Sequence, residues 1–339
     1  MISEFLSMPE ANNPTESTNQ KNEQNLAMKI HNTEISEPGY TKVKIRVGNL
    51  PSGNEINIFA HVFHSGKPGK TGLILAGIHG DEINGVEMLR RSIDMKLYEG
   101  LISGTVIVIP LLNIFGFINF SREVPDGKDI NRSFPGNSNG SLAARVARKF
   151  TKTILPLVDF GIDFHTGGES RFNYPQVRFS PNDDRAKLLA EAFNAPFTIA
   201  KTKLPRTLRK TAFDLGKPVI VFEGGESKRL DGFAMEIGIK GIRNVLIHEK
   251  ILDGTPEQVS KSVNILRSDW LRAPEAGLFV WSKRSGVFIQ KGDLLGEIND
   301  VYGAKSTLVK ATSEGYIIAH NNAPVVNAGD ALFHIGYEI

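Results

Sequence analysis

Apolar and polar positions follow two rhythms along this chain, and the change falls near Trp270. Before it, short apolar runs give way to segments with helical spacing. Ile56 to Phe63 partly alternates as in an edge strand, and Ser65 to Gly72 reads as a turn. Gly72 to Ile78 is an apolar run of buried-strand type, after which Val86, Leu89, Ile93 and Leu97 recur on one helical face. Thr105 to Ile109 predicts the next strand, and Ser141 is placed to cap a helix with the stripe Leu142, Val146, Phe150 and Ile154. Val158, Phe160, Ile162 and Phe164 alternate in a strand. Further expectations are a helix over Asp184 to Phe193, a strand at Val219 to Phe222, and helices near Phe233 to His248 and Pro256 to Arg267. Strands separated by helices predict an α/β fold, a mostly parallel or mixed sheet with helices on both faces.

After Trp270 the texture becomes short β-like runs punctuated by glycine. Ile289 to Ile298 and Val326 to Ile335 share one pattern: an apolar residue, two others, Gly-Asp, then alternating apolars. Two such halves resemble the barrel-sandwich fold of biotinyl and lipoyl carrier domains. Those domains modify a lysine between the halves, and Lys305 occupies that region, although Ala304 and Ser306 match neither carrier signature. The expected organisation is a mobile polar tail at 1–27, a catalytic domain at 28–269 and a small all-β barrel-sandwich domain at 270–339.

Composition narrows the function classes. The 339 residues exceed what one core comfortably fills, are 40% apolar and 23% charged, and carry a formal net charge of +3, so no electrostatic case exists for a nucleic-acid or membrane partner. A small-molecule ligand is expected, and a homo-oligomer is compatible with it. The absence of cysteine excludes a disulfide framework, a thiol nucleophile and a thiolate metal site. No basic segment followed by an apolar core opens the chain, which predicts a cytoplasmic location.

Any metal must therefore use His, Asp or Glu. His79-Gly80-Asp81-Glu82 has H-x-x-E spacing, but so does His31 to Glu34, and only His79 follows an apolar strand and precedes a helix. A tight turn at a strand's carboxyl end lets both side chains converge on one ion. Catalytic zinc commonly takes two histidines and a carboxylate and keeps one position open. His165, at the end of the Val158 to Phe164 strand and before Thr166-Gly167-Gly168, is the best third ligand; Asp163, on the same strand face, could orient a ligand. His61 and His64 point to opposite strand faces, and His248, His320 and His334 read as structural or exposed.

Hydrolysis also needs a carboxylate to move a proton. Glu223 ends the apolar run Val219 to Phe222 ahead of Gly224-Gly225 and is preferred to Glu226. The long stretch between Ile109 and Ser141 would be anomalous unless functional. It contains Asp129-Ile-Asn-Arg-Ser-Phe-Pro-Gly136, where Asn131 and Arg132 could grip a carboxylate, and Arg122, which could polarise a scissile carbonyl.

With these four pieces in order, His79 to Glu82, Asp129 to Gly136, Asp163 to His165 and Glu223 to Gly225, the chain resembles the succinylglutamate desuccinylase/aspartoacylase family, relatives of the zinc carboxypeptidases. The resemblance implies one zinc ion per chain held by His79, Glu82 and His165, substrate contacts at Asn131 and Arg132, Glu223 as general base and Arg122 as the carbonyl-polarising arginine. Arg178 matches an arginine that reads the substrate, and the C-terminal β domain would narrow access to the zinc. The implied activity is deacylation of an N-acyl amino acid. A zinc carboxypeptidase acting on peptides is the alternative, and a non-catalytic carrier protein using the β domain ranks below it.

Overall fold

The computed structural model describes residues 28–49, 52–258 and 261–338; the expected tail at 1–27 lies outside them. The chain enters through a hairpin of β1 (Met28–Ile30) and β2 (Thr33–Ile35), whose turn holds His31 beside Lys149 and apart from any described group that could hold a metal ion. β3 (Gly39–Asn49) and β4 (Glu55–His64) follow as a long antiparallel pair. β4 also pairs with β6 (Thr105–Ile109), so β3 is the edge strand and β4 is interior, which corrects the edge reading of Ile56 to Phe63.

The parallel centre is built from β5 (Thr71–Ala76), β6, β7 (Phe160–Gly167) and β10 (Val219–Glu226). Alternation assigns each side chain a face. Leu73, Leu75, Ile107, Ile109 and Val219 join one core with α3 (Leu142–Thr153) and α5 (Leu208–Asp214). Ile74, Val108, Ile162, Phe164, Ile220 and Phe222 join the other with α1 (Ile83–Asp94), α4 (Asp184–Phe193) and α6 (Gly232–His248). Ser141 caps α3 as expected, its hydroxyl accepting from the Ala144 amide at 3.3 Å. The result is the mixed α/β sheet with helices on both faces that the pattern of runs predicts.

β8 (Arg171–Phe179) extends the sheet antiparallel to β10 and carries β9 (Phe197–Ala200) beside it. The helix expected near Pro256 to Arg267 is not found among the described residues of that stretch. Instead, β11 (Val263–Ile265) pairs with β9 and β12 (Arg267–Arg272) begins the C-terminal β region, because backbone pairing at a sheet edge outweighs a weak helical pattern there.

The C-terminal region is antiparallel throughout. β13 (Gly277–Trp281), β15 (Leu294–Asn299), β16 (Ser306–Lys310) and β18 (Val325–Val326) form a four-stranded sheet, and β14 (Phe288–Ile289) pairs with β17 (Gly315–Asn321). β17, β19 (Ala331–Tyr337) and β12 continue the central sheet, through pairing of β17 with β8. The duplicated Gly-Asp pattern has a structural counterpart. Asp293 accepts from the Gln290 amide at 3.2 Å and Asp330 from the Asn327 amide at 2.7 Å, each after a glycine of positive φ and ahead of β15 or β19. Lys305 lies exposed between β15 and β16, paired with Glu275.

Candidate active site

Three strand ends meet on the face shared with α3 and α5. β5 runs out into the His79 turn, which closes with the Glu82 amide donating to the His79 carbonyl at 3.3 Å. Gly80 is required by close approach: a Cβ there would lie 2.0 Å from the backbone carbon of Gly116 in the short α2 (Ile114–Ile118). Along β7 the alternation that buries Ile162 and Phe164 below the sheet turns Asp163 and His165 to the opposite face. β10 runs parallel to β7 with Glu223 beside His165 in register, and Val219, Val221 and Glu223 step along one face from core to cavity. The strand does not stop at Phe222. It runs on to Glu226 through an irregularity at Gly225, where φ is +85°. That break sends Glu226 elsewhere: it accepts from Asn322 at 2.6 Å and does not line the cavity, whereas Glu223 does.

The cavity measures about 750 Å³. All eight residues singled out in the sequence, His79, Glu82, Arg122, Asn131, Arg132, His165, Arg178 and Glu223, line it. His79, Glu82 and His165 are almost fully buried, and their ligand atoms lie within 4.8 Å of one another. Glu82 reaches Nδ1 of His79 at 2.7 Å with one oxygen and Nδ1 of His165 at 2.8 Å with the other, and the two Nδ1 atoms are 3.1 Å apart. Each outer ring nitrogen faces its own carboxylate: Nε2 of His165 lies 2.9 Å from Asp163 and Nε2 of His79 lies 3.3 Å from Asp129.

Those outer carboxylates favour the Nε2–H form, leaving two Nδ1 lone pairs and a carboxylate facing a common centre. Such a donor set repels itself unless a cation or proton lies among it. A tetrahedral zinc with ligands near 2.0–2.1 Å spaces its donors about 3.3 Å apart, so small rotations of these side chains suit it. The electrostatics agree. Burial opposes charge on both imidazoles, yet the carboxylates outweigh it: Glu82 and Asp129 raise His79, and Asp163 and Glu82 raise His165 well above its usual range. Burial likewise works against the Glu82 carboxylate, but the two histidines hold it well below its ordinary value. This pocket attracts positive charge.

Arg122 is anchored by Asp129, which accepts from Nε at 3.1 Å and Nη2 at 3.0 Å, and this leaves Nη1 3.1 Å from Glu82 and 3.2 Å from Nδ1 of His79. Asp129 therefore serves both His79 and Arg122, and also accepts from the Asn131 amide at 2.6 Å. Sequence reasoning placed it within the quoted motif but gave it no role; the signal was an acidic residue opening a short turn just ahead of the two substrate-contact candidates. Asn131 accepts from the Leu208 amide at 2.9 Å, and Arg132 donates to the Asn131 carbonyl at 2.8 Å. Glu223 accepts from Arg178 at 2.6 Å and from Asn173 at 2.7 Å, so Arg178 holds the carboxylate next to it while lining the cavity. Asn84, which the sequence reading did not single out, donates to the Gly224 carbonyl and accepts from the Asp231 amide, both at 3.0 Å, tying the start of α1 to the end of β10.

The other histidines stay apart from this centre. His61 pairs with Tyr40 and His64 with Thr105, while His320 meets Ser285 and His334 meets Ser268. Among the described residues, His79, Glu82 and His165 are the one group that could hold a metal ion, and no helix is long and apolar enough to cross a membrane.

A possible metal-binding group set beside a carboxylate and several arginines in one cavity defines a hydrolase-like site. Residues 68–249 match the profile of the succinylglutamate desuccinylase/aspartoacylase catalytic domain. The chain belongs to the succinylglutamate desuccinylase/aspartoacylase family. It is 29% identical over 283 residues, 78% of this chain and 81% of the relative, to N-alpha-acetyl-L-2,4-diaminobutyric acid deacetylase of Halomonas elongata. Among solved structures, it superposes with a TM-score of 0.80 and 26% identity on a succinylglutamate desuccinylase of Silicibacter sp. TM1040, over 89% of this chain and 96% of that one. The product-bound ectoine utilization protein of Ruegeria pomeroyi gives a TM-score of 0.78 and 26% identity, over 88% and 95%.

Proposed function

We propose that this protein is a zinc-dependent deacylase that hydrolyses the amide bond of an N-acyl amino acid, with one ion held by His79, Glu82 and His165. The observation that carries the reading is the pair of Nδ1 atoms 3.1 Å apart, bridged by Glu82 and backed by Asp129 and Asp163. Bound there, zinc would act as a Lewis acid that acidifies water and polarises the acyl carbonyl. Glu223 takes the proton as water attacks the acyl carbon and returns it to the amide nitrogen as the C–N bond breaks, and the acid formed passes its own proton to the released amine, giving a carboxylate and an ammonium group. Asn173 and Arg178 fix the Glu223 carboxylate for this work. Arg122 Nη1, held at the ligand cluster by Asp129, is placed to receive charge developing on the carbonyl oxygen. Asn131 and Arg132 bind the α-carboxylate, the Asn131 Oδ1 being occupied by Leu208 and its amide nitrogen remaining a donor. The region from 270 onward narrows the approach, and Trp270 already forms part of the cavity wall.

The Halomonas relative is named for an acetylated substrate, so acetylated amino acids are the first to assay. Zinc-loaded protein is expected to release acetate from them and to leave unblocked peptides intact; the reverse preference supports a peptidase. Glu223→Ala should keep its zinc and lose about 100- to 10,000-fold in kcat. Near-full turnover by that variant rejects the assignment of the base.

A further inference from the structure

Glu226 is 7% exposed, does not line the cavity, and finds its hydrogen-bond partner in the C-terminal region: Asn322, just past β17, donates Nδ2 to it at 2.6 Å. Burying a carboxylate costs free energy unless its oxygens are satisfied, so this contact has to be held in place. Two hydrogen bonds hold it. The Asn322 backbone amide donates to the Ser170 carbonyl at 2.7 Å, and the side-chain oxygen accepts from Trp281 Nε1 at 2.8 Å, which fixes the direction of the Nδ2 donor. The nearest cation, Arg229, is mostly exposed and stands 3.6 Å away.

The place of Glu226 matters because of what lies three residues upstream. β10 matches β7 residue for residue up to Glu223, opposite His165, then slips and meets it again at Glu226, opposite Gly167. Against β8 the slip falls between Glu223, opposite Gln176, and Gly225, opposite Asn173. Glu223 therefore stands on one side of the irregularity and Glu226 on the other, with Gly225 at φ +85° supplying the freedom between them. Pinning Glu226 limits how far Glu223 can drift. Beyond it the chain is clasped to the metal wall: the Ser227 amide donates to the Gly167 carbonyl at 2.9 Å and the Lys228 amide to the Asp81 carbonyl at 2.7 Å. Asn322 adds a further tie, from the region beyond 270.

We propose that Glu226 and Asn322 are positioning residues for the base: their hydrogen bond sets the break in β10 and thereby the place of the Glu223 carboxylate. The C-terminal region then acts on the group that moves the proton, besides lining the approach to it. The inference rests on the deacylase reading, in which Glu223 is that group. A misplacement of about 1 Å at such a group costs about 100-fold in rate. Substrate affinity, assigned to Asn131 and Arg132 on another segment, is left alone.

The test is a cycle of zinc-loaded variants compared in kcat and KM on an acetylated amino acid. Asn322→Asp sets two carboxylates against each other and should lower kcat about 10- to 100-fold, with KM within about twofold of wild type. Glu226→Gln keeps an oxygen for Asn322 and should retain about a third or more of the wild-type kcat. Combining Glu226→Gln with Asn322→Asp reverses the direction of the hydrogen bond, leaves Trp281 its acceptor, and should recover kcat to within about threefold. Should Asn322→Asp not fold, Asn322→Ala carries the kcat and KM comparison in its place. A strut that served only stability would lower the melting temperature and leave kcat unchanged below it. That result, a collapse of Glu226→Gln, or no recovery in the double variant overturns the proposal and leaves deacylation standing. Crystal structures of the same variants read the geometry without turnover. If the wild type hydrolyses no acylated amino acid, the deacylase reading falls; a Glu223 carboxylate drawn away from Asn173 in Asn322→Asp and returned in the double variant then retains the positioning. An unmoved Glu223 with no turnover overturns both.

Discussion

Two walls of one cavity handle charge in opposite ways. Where β5 and β7 end, carboxylates surround the histidines: His79 and His165 are drawn toward their charged forms despite complete burial. Where β8 and β9 end, cations dominate, and His334 behind them is held neutral. The same side chain thus shifts in opposite directions within one molecule: burial, aided by nearby cations, lowers His334, whereas carboxylates override burial at His79 and His165. The first wall holds a group of side chains that could bind a metal ion; the second gathers positive charge. The two walls rest on different strands, so each can be disturbed separately.

The largest expected effect comes from breaking the first wall. Glu82→Ala removes the carboxylate that bridges both imidazoles, and should abolish stoichiometric zinc in elemental analysis and cut turnover by roughly 1,000-fold or more. Wild-type zinc content in that variant would mean the wall is not a metal site. Next, Arg122→Gln should lower kcat about 100- to 1,000-fold with little change in KM, because its Nη1 is argued to meet charge that develops only during reaction. A change confined to KM would make it a binding residue instead.

Asp129→Asn is expected to be milder. It leaves every proposed ligand in place and should weaken zinc about 10- to 100-fold in a competition titration with a chelator. The smallest effect tests the second wall. His334 titrates at about 3 in the folded chain, against an ordinary histidine near 6.5, so the unfolded chain binds the extra proton between those values. Stability is then full above about pH 6.5 and falls as the pH drops toward 3, with a loss of about 2 kcal/mol between pH 7 and pH 5 from this group. His334→Gln should flatten the acid side of a denaturation profile by that amount; an unchanged slope would remove His334 from the account.

What could be read in the sequence was local. His79 and Glu82 share one turn, His165 and Glu223 each follow an apolar alternation, and such patterns survive in a linear text. Asp129 lost its role because its partners, His79 and Arg122, come from separate segments. β8 went unrecognised because Pro175 and polar residues interrupt its alternation, and the strand borrows stability from β10, β9 and β17. Glu223 lines the cavity, but the continuation of β10 through the Gly225 irregularity has no signature in the sequence, because a bulge is decided by pairing partners rather than by one strand.

The strand that bears Asn173 and Arg178 is flanked along its length: β10 covers one side, and β17 followed by β9 covers the other. Shortening the protein to the part before β12 would strip β17 away and uncover raw backbone amides and carbonyls at the mouth of the cavity, inviting self-association there. The outer four-stranded sheet is held to that frame as well, since its Phe279, Leu295, Ile298 and Val309 share one core with Ile317 of β17 and Phe333 of β19.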